Sequence, residues 1–121
     1  MPQNNQITFL VIDDEEMILT TMKRLIEKSF PDYKVLTAKD GSAGLNLIVG
    51  QMPDIVICDL GMEGLDGIQL LVKIRAREEL NDIYFIILTA STNREKRVEA
   101  LEKGADDYIS KPVTSDELAA R

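Results

Sequence analysis

The chain has 121 residues, with 14 Lys and Arg against 21 Asp and Glu, a formal net charge of −7, one cysteine and no histidine. Without imidazole it can build no Ser-His-Asp or Cys-His nucleophile and no histidine-ligated zinc site, and it cannot itself be phosphorylated on histidine. The acidic balance argues against nucleic acid and anionic membranes as partners, and the lone Cys58 offers no disulfide, so a soluble cytoplasmic domain is expected.

In chain order, short apolar runs alternate with longer amphipathic ones, the pattern of repeated strand-helix units around a mostly parallel sheet. A first strand is expected over Thr8-Phe9-Leu10-Val11-Ile12. A helix follows from Glu16 to Phe30, carrying Leu19, Met22, Ile26 and Phe30 at helical spacing and closed by Pro31. The second strand is expected over residues 33–38. The second helix runs from Gly41 to Val49, with Asp40 as its N-cap and Gly50 as its stop. Ile55-Val56-Ile57-Cys58 is the third strand, and a third helix over 66–78 groups Ile68, Leu71 and Ile74. Tyr84-Phe85-Ile86-Ile87-Leu88 is the fourth strand. The fourth helix, 93–103, offers only Val98, Leu101 and some Ala as an inner face, with Gly104 in the left-handed position after it. Asp107-Tyr108-Ile109-Ser110 is a weaker fifth strand. Thr114-Ser115-Asp116-Glu117 reads as a capping box that opens a fifth helix. Cys58, inside an apolar run, is read as core.

Four strands end on an ionisable or reactive residue: the first on Asp13-Asp14-Glu15, the third on Asp59, the fourth on Thr89, the fifth on Lys111-Pro112. In an open parallel sheet such ends converge on one crevice. Clustered carboxylates are costly unless a cation compensates them, and a hard divalent ion does so best. A metal, the Lys111 ammonium, the Thr89 hydroxyl and turn amides such as those of Gly61 and Ala90 are together the parts that stabilise a phosphoryl group in transfer. A carboxylate not consumed by the metal can then serve as nucleophile. Each residue alone has a plainer reading. An Asp after a strand is most often a turn former or cap, Thr89 a capping hydroxyl, Lys111 a solvated charge, Tyr108 half-buried packing. Their coincidence at successive strand ends favours the site.

The chain resembles the receiver domain of two-component response regulators, of the chemotaxis-receiver-like superfamily, over nearly its whole length. The resemblance is carried by Phe9-Leu10-Val11-Ile12-Asp13-Asp14-Glu15, Asp54-Ile55-Val56-Ile57-Cys58-Asp59-Leu60, Leu65-Asp66-Gly67, Ile86-Ile87-Leu88-Thr89-Ala90 and Gly104-Ala105-Asp106-Asp107-Tyr108-Ile109-Ser110-Lys111-Pro112. It implies an α/β, flavodoxin-like (βα)5 three-layer sandwich with strand order 2-1-3-4-5. It implies Asp59 as phosphoacceptor and a Mg²⁺ site, with Mn²⁺ as the alternative ion, from Asp14, Asp59, the Gly61 carbonyl and, through water, Asp13. It further implies phosphate contacts from Thr89, the Ala90 backbone and Lys111, a switch through Thr89 and Tyr108 that alters the face of the fourth helix, fifth strand and fifth helix, and a cis Lys111-Pro112 bond. The donor would be a sensor histidine kinase or phosphotransfer protein. The domain would catalyse its own phosphotransfer and dephosphorylation. Glu63 replaces a Pro common in the family, and Gly61 and Ser91 are small, leaving the site open to water.

Two other readings are weighed. A haloacid-dehalogenase-like phosphatase wants its aspartates two apart, whereas Asp13 and Asp14 are adjacent, and there is no room for a cap domain. A receiver-like binding module that takes no phosphate would not need the full set of polar residues. A fifth helix of some two turns before Arg121 leads to the expectation that the chain is excised from a longer regulator with a C-terminal output domain acting beside it. Homodimerisation through the face of the fourth and fifth helices is left open.

Overall fold

The computed structural model describes residues 6–62, 64–89 and 94–110. Five parallel strands, β1 (Thr8–Ile12), β2 (Lys34–Ala38), β3 (Ile55–Asp59), β4 (Tyr84–Thr89) and β5 (Asp107–Ser110), form one sheet in the order β2-β1-β3-β4-β5. This is the flavodoxin-like topology read from the sequence. The expected capping box at Thr114 and the fifth helix lie outside the described residues.

The strand residues alternate between two cores, as a side-chain period of two requires. Leu10, Ile12, Val56, Cys58, Phe85, Ile87 and Tyr108 lie on the face that packs Ile48 of α2 (Gly41–Gln51), Leu70, Leu71 and Ile74 of α3 (Gly67–Arg75) and Ala100 of α4 (Arg94–Glu102). On the other face, Phe9, Val11, Ile57, Ile86, Leu88 and Ile109 meet Leu19, Met22 and Ile26 of α1 (Glu16–Ser29). Both faces of the central strands are therefore dry, which is why their sequence is apolar at nearly every position.

Two helix ends differ from the sequence reading by more than one residue. The α2 helix does not stop at Gly50. It runs to Gln51, and Met52 caps it in the left-handed conformation (φ 49°) with its N–H donating to the Ile48 carbonyl at 2.9 Å. Pro53, which can neither donate a helical hydrogen bond nor leave the residue before it in the right-handed region, is the effective terminator. The α3 helix ends at Arg75 rather than 78, and Glu78–Leu80 form a separate 3-10 turn that buries Leu80. The chain folds back there because the Arg75 guanidinium collects the carbonyls of Asn81 and Ile83, both at 2.8 Å. In α4, Val98 and Leu101 are 46% and 45% exposed, and Ala100 alone among its described residues is fully buried. A small residue makes the contact, so the helix is lightly held.

The charges of α4 also run against its macrodipole. Glu95 in the first turn is favourably placed, but Lys96 and Arg97 stand beside it near the start, Glu99 and Glu102 near the end, and no basic residue occupies the last turn. Each such exposed placement costs about 0.3–1 kcal/mol. The C-terminal end is better fixed. Gly104 takes the expected left-handed position (φ 111°), and the Arg75 side chain donates to its carbonyl at 3.0 Å and to Asp106 Oδ2 at 2.8 Å.

Candidate functional site

Register places the polar strand ends side by side. Ile12 of β1 lies beside Cys58 of β3, so Asp13 continues next to Asp59; Asp59 in turn lies beside Leu88 of β4, so Thr89 follows immediately. The chain leaves β1 into α1 on one face of the sheet and leaves β3 into α3 on the other, so a crevice opens between the carboxyl ends of β1 and β3.

Asp13, Asp14 and Asp59 meet in that crevice. Each offers a carboxylate oxygen within 4.8 Å of the other two. Asp13 is fully buried, Asp59 is 8% exposed and Asp14 is exposed. The Asp13 main-chain N–H donates to the Ala38 carbonyl at 3.1 Å, and its Oδ1 accepts from the Glu15 N–H at 2.9 Å, so β2 and the start of α1 both orient it. The N-cap of α1 is Glu15, without a side-chain cap bond, so Asp14 is not consumed as a cap. Asp40, in contrast, is the cap it resembles, accepting from the Ala43 N–H at 2.7 Å.

Gly67 opens α3 directly beneath the phosphoacceptor candidate. A Cβ there would lie 2.6 Å from the Asp59 carbonyl oxygen, so only glycine lets the helix begin so close to the strand end. Asp66 caps α3 from the preceding position in a reciprocal box with Gln69, its Oδ1 accepting at 2.9 Å and the Asp66 N–H donating back at 3.0 Å. At Gly61 a Cβ would meet nothing within 4 Å. A cavity of about 400 Å³ opens there, lined by Leu60, Gly61, Met62, Asp66, Thr89 and Lys96. Thr89 is 4% exposed at the end of β4. Ala90, Lys111, Pro112, Glu63 and Ser91 lie outside the described residues.

Tyr108 is 7% exposed on β5, deeper than half-buried packing, with the Arg97 guanidinium 5.2 Å above its ring. Burial pushes its hydroxyl pKa up, and Arg97 partly offsets this. In the sequence Lys96 is legible only as part of a solvated helix face, and Asp66 as the start of the third helix and a member of the Leu65-Asp66-Gly67 stretch; the faint signal for Lys96 is its basic charge at a helix start, where acids are favoured.

Cys58 is core, as read. Its Sγ lies 3.4 Å from the Asp59 carbonyl, and burial, with the nearby charges of Asp59, Asp13 and Asp66, pushes the thiol well above its ordinary 9.0. The folded protein is expected to resist thiol-specific alkylation that labels it at once in denaturant. Because the folded pKa is raised, this thiol's contribution to stability is complete below pH 9.0 and is lost as pH climbs beyond it, where only the unfolded chain ionises. A native Cys58 that alkylates as fast as the unfolded one would contradict this.

A family model described as the response regulator receiver domain matches residues 9–121. The response regulator MprA of Mycolicibacterium vanbaalenii is 36% identical over 115 residues, 95% of this chain and 48% of that protein, so the chain spans about half the length of the curated relatives it matches. A response regulator receiver domain protein from Clostridium thermocellum superposes with a TM-score of 0.85 at 34% identity, covering 94% of this chain and 89% of that one. The DrrB receiver domain, in a BeF3-activated form, superposes at 0.84 with 25% identity over 96% of this chain and 93% of its own.

Proposed function

Because the chain belongs to the response regulator receiver domain family of two-component signalling, we propose that Asp59 is the acceptor of a phosphoryl group from a histidine on a sensor kinase or phosphotransfer protein. The observation that carries this reading is the convergence of Asp13, Asp14 and Asp59 within 4.8 Å at the sheet's crossover point, with Thr89 on the adjoining strand.

An Asp59 carboxylate oxygen attacks phosphorus. The new O–P bond forms as the donor's N–P bond breaks, and the imidazole nitrogen keeps the electron pair. Three carboxylates, two of them buried, suit a hard divalent ion that takes few protein ligands and keeps waters, so Mg²⁺ fits, with Mn²⁺ as the alternative. Asp13, Asp14, Asp59 and the Gly61 carbonyl are the residues that would hold it. When bound, the ion neutralises charge on the phosphoryl oxygens. Thr89 donates its hydroxyl to the phosphoryl group once it is in place; Lys111 and the Ala90 amide are assigned to the same group by family resemblance. The added charge of about −1.5 to −2 draws Thr89 toward it and biases α4, β5 and Tyr108 toward a second arrangement.

That arrangement regulates an output domain or a downstream protein, in the cytoplasm, as part of a longer regulator; the coverage of half the length of its relatives supports this. No described helix is long and apolar enough to cross a membrane.

The test uses Mg²⁺ and acetyl phosphate with intact-mass detection. Wild type should gain one phosphoryl group and Asp59→Asn none. A wild-type chain that gains nothing would leave a binding module that takes no phosphate as the better reading.

A further inference from the structure

A donor approaching Asp59 meets a problem of charge. The chain is acidic overall, three carboxylates already crowd the crevice, and the incoming phosphoryl group is an anion. The cavity beside Thr89 and Gly61 lies on the α4 side, and of its described lining residues two are charged, Asp66 and Lys96. The Asp66 carboxylate is occupied as the cap of α3. Lys96 lies 3.9 Å from Glu99, one of its contacts, and the two side chains are 54% and 45% exposed, so the ammonium is reachable from the cavity by an incoming anion. Its position is also costly to the helix that carries it, since a cation in the first turn of α4 opposes the macrodipole.

The geometry points to Lys96 as a positioning residue for the phosphodonor: its ammonium draws the donor's phosphoryl group into the cavity over Gly61 and Thr89 and orients it for attack by Asp59. The inference rests on Asp59 as the acceptor and adds a second cation, carried by α4, to the Lys111 ammonium at the end of the fifth strand. With acetyl phosphate the step balances simply. The bond from phosphorus to the Asp59 oxygen forms, the bond to the acetate oxygen breaks, and acetate departs with that electron pair.

The discriminating experiment compares wild type with Lys96→Met, Lys96→Arg and, as a control of equal charge change, Lys73→Met on the exposed end of α3. Phosphorylation by acetyl phosphate is followed by intact mass at low and high salt, and Mg²⁺ affinity by calorimetry. Lys96→Met should slow phosphorylation about threefold to tenfold at low ionic strength, with the gap closing as salt screens the ammonium. Lys96→Arg should retain most of the rate and Lys73→Met all of it. Mg²⁺ affinity of Lys96→Met should be unchanged or tighter, because a nearby cation has been removed, whereas structural damage to the site would weaken metal and donor together. Equal rates for wild type and Lys96→Met, or an equal loss in Lys73→Met, would overturn the role of Lys96 alone. Absence of any phosphoryl gain in wild type would overturn the acceptor reading and this one with it.

Discussion

Replacing Arg75 by Ala is expected to lower folding stability by about 3 kcal/mol and the thermal midpoint by about 12 °C. The guanidinium of this residue, 16% exposed as a side chain, donates to the Gly104, Asn81 and Ile83 carbonyls at 3.0, 2.8 and 2.8 Å and to Asp106 Oδ2 at 2.8 Å. That same Asp106 oxygen also accepts from the Phe85 N–H at 2.9 Å. One side chain thus joins the end of α3, the turn before β4 and the turn after α4. The ion pair itself is discounted, since Asp106 is 38% exposed as a side chain. Most of the loss comes from carbonyls left without their donor and from the fold-back at residues 76–83. Arg75→Lys should recover less than half, because an ammonium cannot reproduce the fork of donors. Urea denaturation followed by circular dichroism measures both; a loss below about 1 kcal/mol for Arg75→Ala would show the network to be dispensable.

Asp14→Asn should exchange the stability order of variant and wild type between metal-free and Mg²⁺-saturated conditions. In the wild-type chain, a metal bound only by the folded state adds about 2.7 kcal/mol at a hundredfold excess over its dissociation constant. Removing one carboxylate from the set at 4.8 Å should weaken that affinity about 10-fold to 100-fold and abolish most of the gain. Without metal the order reverses. The variant lacks one of three crowded like charges, and because Asp14 is exposed the benefit is small, about 0.5 kcal/mol. Thermal melts with EDTA and with saturating Mg²⁺ should therefore cross, the variant higher in the first and wild type higher in the second. Parallel melts with the same metal increment would remove Asp14 from the metal set.

The sheet was legible because its central strands are buried on both faces, and unbroken apolar runs such as Ile55-Val56-Ile57-Cys58 leave few other readings. The strand-end carboxylates were legible for a related reason, since a chain that spends so little polarity in its strands makes a polar terminus conspicuous. Helix ends were harder. Gly50 and Pro53 compete as stop signals three residues apart, and the winner depends on whether hydrogen bonding to Ile48 can continue past the glycine. The end of α3 was hidden because it is fixed by Arg75 reaching carbonyls six and eight residues ahead, a contact with no local pattern. Apolar size is a poor guide to the inner face of α4, because the helix turns Ala100 inward and leaves Val98 and Leu101 outside. No local pattern marks Lys96, which lines a cavity assembled from the segment after β3, the start of α3 and the end of β4.

The close seat of Gly67 against the Asp59 carbonyl bears on the direction in which a signal can leave. On that side the Asp59 main chain rests on an anvil: α3 is packed through Leu70, Leu71 and Ile74, all fully buried, and yields little to a local push. Across the strand end lies the compliant side, where among its described residues α4 fully buries only Ala100, lays Arg97 over the Tyr108 ring, and carries Lys96 and Arg97 against its own dipole. If Asp59 takes the phosphoryl group as proposed, force applied there is refused by α3 and delivered to the near end of α4, whose far end Arg75 ties down through the Gly104 carbonyl, so the proposal predicts that a small displacement at Thr89 becomes a tilt.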